Sequence, residues 1–151
     1  MHFIKNLEWR YAIKLFYPNK KVSETHLNLI KETIQLSASS YGLQLYKAFI
    51  IANPDIRAKL KSASWGPQQI TDASLIIVFC SYTDVHRKHI DDFLTLKSNT
   101  QDIPLSELEG YGDFMEAKIN EKSEQELKHW TAKQTYLAFG TPKPPSGFSC
   151  F

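Results

Sequence analysis

Cysteine is scarce in this sequence, and no charge of one sign dominates it. Only two cysteines are present, Cys80 within an apolar run and Cys150 beside the last residue. Their number and spacing give no indication of a disulfide framework or a thiolate metal site, and a reducing, cytoplasmic location is expected. Eighteen Lys and Arg are balanced by sixteen Asp and Glu, so the charge predicts neither a nucleic-acid partner nor an anionic membrane partner.

Long apolar runs and glycine-rich motifs are also missing. The longest apolar run, residues 75–80, is far shorter than the roughly 20 residues that cross a bilayer, and residues 1–7 lack the apolar stretch of a secretory signal. We therefore expect a soluble, unexported protein. The glycines at 42, 66, 110, 112, 140 and 147 form neither a phosphate-binding loop nor a dinucleotide fingerprint, and no nucleophile elbow occurs.

The material for a single core is present. The chain has 151 residues, 42% of them hydrophobic and 23% charged, as is typical of one globular domain. Ser23 precedes apolar residues at helical spacing, which predicts a capped amphipathic helix to about residue 36. Residues 37–42 are rich in small hydroxyl side chains and predict a loop, and residues 48–52 predict a strand.

The middle of the chain continues the mixed pattern. Residues 53–55 begin a predicted short helix that runs through residue 60, and Gly66 with Pro67 interrupts the chain. Residues 75–80 predict a second strand, apolar on both faces, which favours a sheet covered by helices on both sides.

The last third predicts helices. From residue 83 to about 96, and again from 104 to 129, the chain is polar and charge-alternating, which predicts surface helices. Ser123 and Glu126 have the spacing of a capping box and predict the start of a long final helix. One face of this helix is predicted to hold Leu127, Trp130, Gln134 and Leu137.

Prolines end this pattern. Three of the four residues 142–145 are proline, which can neither continue a helix nor form an interior strand. We expect a domain over residues 1–140 and an irregular tail over residues 141–151.

Four polar groups are candidate binding residues, and each has a simpler structural interpretation. Arg10 and Lys14 are four residues apart and can hold an anion, or they are two solvated surface charges. The hydroxyls and amides of residues 37–42 can donate to a phosphate or ribityl chain, or the loop only ends a helix. The side-chain amides within residues 65–74 can pair with the edge of a planar heterocycle, or they are ordinary loop residues.

The fourth group, residues 86–92, contains two histidines and two aspartates and suggests a metal site. Arg87 and Lys88 are interleaved with them, which instead favours a solvated helix. We predict no metal.

Taken in order, residues 10–16, 37–44, 69–79 and 130–137 resemble the nitroreductase family of flavin-mononucleotide (FMN) proteins, in particular its minimal branch that reduces quinones and nitroarenes. The resemblance implies an α+β nitroreductase-like fold with helices on both faces of a mixed sheet. It also implies a homodimer with two FMN molecules at its interface. Relatives continue beyond residue 140 with a dimerisation helix, a proline-acid-glycine segment and late basic residues, so the C-terminal part is expected to be missing.

The resemblance implies roles for specific residues. Arg10 would grip the flavin phosphate, the backbone of Tyr11 and Ala12 would follow the ribityl chain, Lys14 would face the ring system, and Gln69 would read the pyrimidine end. Ser39 and Ser40 would come from the partner subunit and cover the ring edge. No residue is assigned a catalytic role.

The implied function is that of an FMN-dependent NAD(P)H oxidoreductase. NADH or NADPH gives a hydride to the flavin, and a small-molecule acceptor such as a nitroarene or quinone then takes the electrons. The alternative is a non-catalytic, truncated remnant of the same fold that binds flavin weakly or not at all.

Overall fold

A computed structural model of the chain describes residues 4, 5, 8 and 12–141. The predicted α+β class is confirmed. Its elements in chain order are helix α1 (Glu24–Gln35), a 3-10 turn (Ser40–Gly42), strand β1 (Tyr46–Ile51), helices α2 (Pro54–Ala63) and α3 (Gln69–Asp72), strand β2 (Ile76–Ser81), and helices α4 (Arg87–Gln101), α5 (Leu105–Asn120) and α6 (Glu124–Gly140).

The sheet within residues 12–141 consists of β1 and β2, which pair in antiparallel orientation. Only two apolar runs of strand length occur in this range, so the sheet here has two strands. It is an antiparallel pair and not the mixed sheet that was expected. Most of β2 is half-buried and Cys80 is exposed. Across residues 12–141 no helix is long and apolar enough to span a membrane.

The chain divides into two compact units. The first includes residues 12–33 and 49–78, and the second consists of Ile34–Ala48 and Phe79–Thr141. The predicted single domain over residues 1–140 stays a prediction. Residues 142–151 of the predicted tail lie outside the described residues.

Local capping explains the helices of the first unit. Ser23 Oγ accepts a hydrogen bond from the His26 N–H at 3.3 Å, as the predicted cap of α1 requires. Asn53 Oδ1 accepts from the N–H groups of Asp55 and Ile56 at 2.9 and 3.1 Å, so α2 begins where predicted and runs three residues further. Helix α3 lies where sequence reasoning placed a loop, and its four residues are too few for a periodic signal.

Helices α4 and α5 have mostly exposed, charged faces, as predicted for surface helices, but the prediction missed that each also supplies an inward stripe to the second unit's core. The buried apolar cluster consists of Leu43, Leu45, Ile90, Leu94, Leu108, Met115 and Ile119. Its helical members recur at spacings of four and seven residues, which places them on a single narrow stripe of each helix. Charged residues fill the remaining positions and hide this stripe in the sequence.

A glycine and an arginine bring α4 and α5 together. A Cβ atom at Gly112 would lie 2.7 Å from Leu94 Cδ1, so the glycine permits the close approach of the two helices. Arg87 is paired with Asp91 on its own helix and with Asp113 and Glu116 on α5, each at 2.8 Å. Hydrogen bonds to these carboxylates raise the pKa of Arg87 above its ordinary value.

Helix α6 begins at the predicted capping box. Ser123 Oγ accepts from the Glu126 N–H at 3.3 Å, and the Ser123 N–H donates to Glu126 Oε2 at 2.8 Å. The predicted apolar face is only partly right, because Leu137 is 60% exposed. The fully inward positions are Thr131, Gln134, Thr135 and Ala138.

The capping box makes a pH-dependent contribution to stability. Hydrogen bonds from Ser123 lower the pKa of Glu126 below its ordinary value of 4.5. The contribution is therefore complete above about pH 4.5 and is lost as the pH falls through the lower pKa of the folded state. We expect Glu126→Gln to reduce the Tm above pH 4.5 and to converge with the wild type in more acidic solution. Thermal melts from pH 2.5 to 7 check this, with Glu107→Gln on α5 as the matched control, and parallel profiles would contradict it.

Candidate functional site

Gln69 connects two of the segments that the sequence singled out. It is the first residue of α3, and its Nε2 donates to the Ile13 carbonyl oxygen at 3.3 Å. The side chain is half-buried, and among residues 12–141 its amide oxygen has no partner. The Gln69 amide is thus fixed through its nitrogen, and its oxygen can accept a hydrogen bond from a ligand.

Ala12 and Lys14 flank Ile13, and both are exposed. The Lys14 ammonium makes no ion pair or hydrogen bond with the part of the chain that the structure describes, so its charge is available to a ligand. Arg10 and Tyr11 lie outside the described residues, and their predicted roles stay predictions. Four cofactor-binding residues were predicted within residues 10–14. The structure describes two of them, Ala12 and Lys14, and both adjoin Ile13, whose carbonyl Gln69 binds in the first unit.

Ser39 and Ser40 lie in a loop of the second unit with a fixed backbone. Ser39 Oγ accepts from the Gln44 N–H at 2.9 Å, and the Ser40 N–H donates to Oε1 of the buried Gln134 at 3.0 Å. Gly42 has a φ of +82°, and a Cβ atom there would lie 2.9 Å from Phe93 Cε2. Within residues 12–141 the Ser40 hydroxyl has no partner, so it stands exposed on a well-held turn and can donate to a ligand.

The histidines of residues 86–92 take part in starting α4. The His86 N–H donates to His89 Nδ1 at 2.9 Å, and the two rings stack with centroids 5.7 Å apart. Asp91 and Asp92 pair with Arg87 and Lys88. Within residues 12–141 no group of three or more His, Cys, Asp or Glu side chains could hold a metal ion.

Sequence reasoning missed Arg57, which the structure places next to residues 69–74, the segment that begins with Gln69. It is 4% exposed on α2, and its guanidinium donates to backbone carbonyls of residues 70–74. The sequence gives no signal that separates Arg57 from Lys59 and Lys61 on the same helix, because all three are basic residues in a charged segment.

Residues 7–141 match the Nitroreductase family. The chain belongs to the nitroreductase family. It is 34% identical over 139 residues to YfkO of Bacillus subtilis strain 168, which is assigned as an NAD(P)H nitroreductase; the match covers 87% of this chain and 63% of YfkO. It is 36% identical over 137 residues to a Staphylococcus saprophyticus protein with the same assignment, covering 87% of this chain and 62% of that protein. The chain thus spans less than two thirds of these curated relatives.

Solved nitroreductase structures share the fold. The Bacillus subtilis nitroreductase YdfN superimposes with a TM-score of 0.82 at 16% identity, covering 93% of this chain and 67% of that one. A nitroreductase from Exiguobacterium sibiricum 255-15, solved in complex with FMN, gives a TM-score of 0.75 at 18% identity and covers 92% of this chain and 66% of that one.

The side chains present in this nitroreductase-family chain fit FMN. The flavin carries an anionic phosphate, a hydroxylated ribityl chain and a heterocycle with both donors and acceptors. In the first unit, Lys14 has no ionic partner among the described residues, and the Gln69 amide oxygen can accept a hydrogen bond. The exposed Ser40 hydroxyl of the second unit is a separate donor, which the resemblance assigns to the partner subunit's site. None of the predicted cofactor residues is acidic, so none would repel the phosphate.

Proposed function

We propose that the chain forms the flavin-binding part of an FMN-dependent NAD(P)H oxidoreductase. NADH or NADPH would supply the hydride, and a nitroarene, quinone or similar small molecule would accept the electrons. The hydrogen bond from Gln69 to the Ile13 carbonyl is the observation that carries this proposal, because it joins the segments predicted to hold the ribityl chain and the pyrimidine end.

The roles of the residues follow from their chemistry. Arg10 as a planar fork and Lys14 as a point charge would provide the cations for the anionic cofactor. The backbone of Tyr11 and Ala12 would lie along the ribityl chain, and the Gln69 amide oxygen would accept an N–H of the pyrimidine ring. When bound, FMN supplies the hydride chemistry, and the protein supplies binding, orientation and charge.

The predicted homodimer is part of the proposal, with Ser39 and Ser40 contributed by the partner subunit. Support comes from the last turns of α6, where Tyr136, Leu137 and Phe139 are mostly exposed. Exposed large apolar side chains are typical of a protein interface. A cytoplasmic location is likewise a proposal, favoured by the sparse cysteines.

Absorbance spectroscopy of the purified full-length chain tests the function. We expect a bound flavin spectrum that bleaches on addition of NADPH or NADH and recovers with a quinone. Lys14→Gln is expected to weaken FMN binding about tenfold, the worth of one charge-assisted contact. Lys59→Gln removes an exposed lysine from α2 of the same unit and should leave affinity unchanged.

A different outcome would favour the second candidate, a non-catalytic member of the fold. The exposed apolar side chains of α6 also favour this candidate if nothing covers them. Folded, colourless protein that does not take up FMN in a fluorescence-quenching titration would contradict the oxidoreductase. Sedimentation of the same sample shows whether a dimer forms.

A further inference from the structure

Arg57 is a buried cation whose hydrogen bonds within the described part of the chain all go to backbone carbonyls. Its side chain is 4% exposed. Nε donates to the Ile70 carbonyl and Nη2 to the Thr71 carbonyl, each at 2.8 Å, and Nη1 donates to the Ser74 carbonyl at 3.3 Å. Nη2 also donates to the Ala73 carbonyl. One guanidinium therefore holds the whole stretch of chain from α3 to the start of β2.

No aspartate or glutamate side chain in the described residues forms an ion pair with this guanidinium. All Asp and Glu residues of the chain lie among residues 4, 5, 8 and 12–141, and within that part none forms an ion pair with Arg57. Arg87 shows the contrast, since three carboxylates surround it. Burying a charge without a counter-ion is costly, and carbonyl dipoles offset only part of that cost. The fold therefore buries a cation against residues 69–74 whose direct contacts among the described residues are carbonyl oxygens.

The segment depends on Arg57 for its conformation. Helix α3 has only four residues, too few to be stable in isolation, and its N-cap Gln68 makes no side-chain capping bond. The carbonyls at its C-terminal end lack helical partners, and Arg57 supplies them. Gln69 directly precedes the first of these carbonyls, so the backbone that aims its amide is held by Arg57.

We infer that Arg57 is a positioning residue for the pyrimidine end of the flavin, acting through residues 69–74, and that its buried charge favours the reduced, anionic cofactor. The inference rests on the proposed function. Negative charge accumulates at the pyrimidine end after hydride arrival, and a buried cation is screened less than one in water. Because the guanidinium donates to the carbonyls of residues 70–74, Arg57 would act through this backbone and not by contact with the cofactor.

Two substitutions separate position from charge. Arg57→Gln removes the charge and most of the donors, whereas Arg57→Lys keeps the charge but loses the planar fork. Lys59→Gln, two residues away on the exposed side of α2, is the control for removing a positive charge without these contacts. The readouts are the midpoint potential of bound FMN and hydrogen exchange of residues 66–74 in the flavin-free protein.

We expect Arg57→Gln to make the midpoint potential more negative by about 30 mV, a tenfold change in the two-electron reduction equilibrium. Arg57→Lys should restore most of the potential. Both variants should speed exchange of residues 70–74 at least tenfold. An Arg57→Gln potential equal to that of Lys59→Gln would overturn the electrostatic role, and unchanged exchange in both variants would overturn the positioning role.

The two failures are distinguishable. A wild-type chain that takes up no FMN refutes the proposed function and the electrostatic role with it, while exchange in the flavin-free protein still decides whether Arg57 holds residues 69–74. Should Arg57→Gln fail to fold, Arg57→Lys decides alone. Fast exchange with a near-wild-type midpoint potential supports the inference. Slow exchange, or a midpoint potential lowered as far as predicted for the glutamine variant, overturns it.

Discussion

Leu94→Ala is expected to lower the free energy of unfolding by about 2–5 kcal/mol, the range measured when a buried leucine is cut back to alanine. Leu94 is 2% exposed and belongs to the same buried cluster of the second unit as Leu43, Leu45 and Met115. Its removal leaves a cavity in the buried cluster, and the loss within this range depends on how far the surrounding side chains relax into that cavity. Urea denaturation of the full chain measures the effect.

Helix α4 offers a matched control two residues away. Leu96 has the same side chain in the same helix but is 66% exposed. Leu96→Ala is expected to change the free energy of unfolding by no more than about 0.5 kcal/mol, as is usual at the surface. Equal losses for the two variants would show that the inward stripe of α4 has been assigned to the wrong face.

Gly112→Ala is expected to destabilise the protein by about 1–3 kcal/mol relative to Gly110→Ala, which is the cost of overpacking a tight contact. The added Cβ would lie 2.7 Å from Leu94 Cδ1 and 3.3 Å from Arg87 Nη2, and Leu94 is buried and cannot swing away. In the part of the chain that the structure describes, a Cβ at Gly110 would have no neighbour within 4 Å apart from the adjacent backbone of its own helix. Both variants gain the same helix propensity, roughly 1 kcal/mol, so their difference isolates the contact.

Measured alone, Gly110→Ala should therefore stabilise the chain, and Gly112→Ala should not. Thermal and urea denaturation of both variants, with far-UV circular dichroism to confirm helix content, give the comparison. Similar gains at both positions would mean that α4 and α5 pack less closely than the structure shows.

Local signals predicted the starts of the elements well. Ser23, Asn53 and the pair Ser123 and Glu126 each cap a helix where the sequence placed one, because capping depends on residues within one turn. Both strands were found from their apolar runs, with ends shifted by one or two residues.

Features that depend on distant contacts were not predictable. The stripe of Ile90 and Leu94 occupies so little of α4 that charged neighbours mask it, and the inward turn of Gln134 depends on a loop 94 residues away. Of the candidate site, the roles of Gln69 and residues 10–14 come from the resemblance and stay predictions, and the bond from Gln69 to the Ile13 carbonyl was not foreseen from the sequence. Arg57 was missed because its partners are backbone carbonyls, which every residue has. The sequence therefore contains no complementary side chain, such as a carboxylate, that would indicate burial of this arginine.

The bond between Ser40 and Gln134 has a consequence for biosynthesis. The Ser40 N–H is satisfied by a side chain that is synthesised 94 residues later. The serine turn therefore acquires its final support only after α6 has been made, and Gln134 is near the end of that helix. Until then, the nascent chain carries an unfinished turn at residues 39–42.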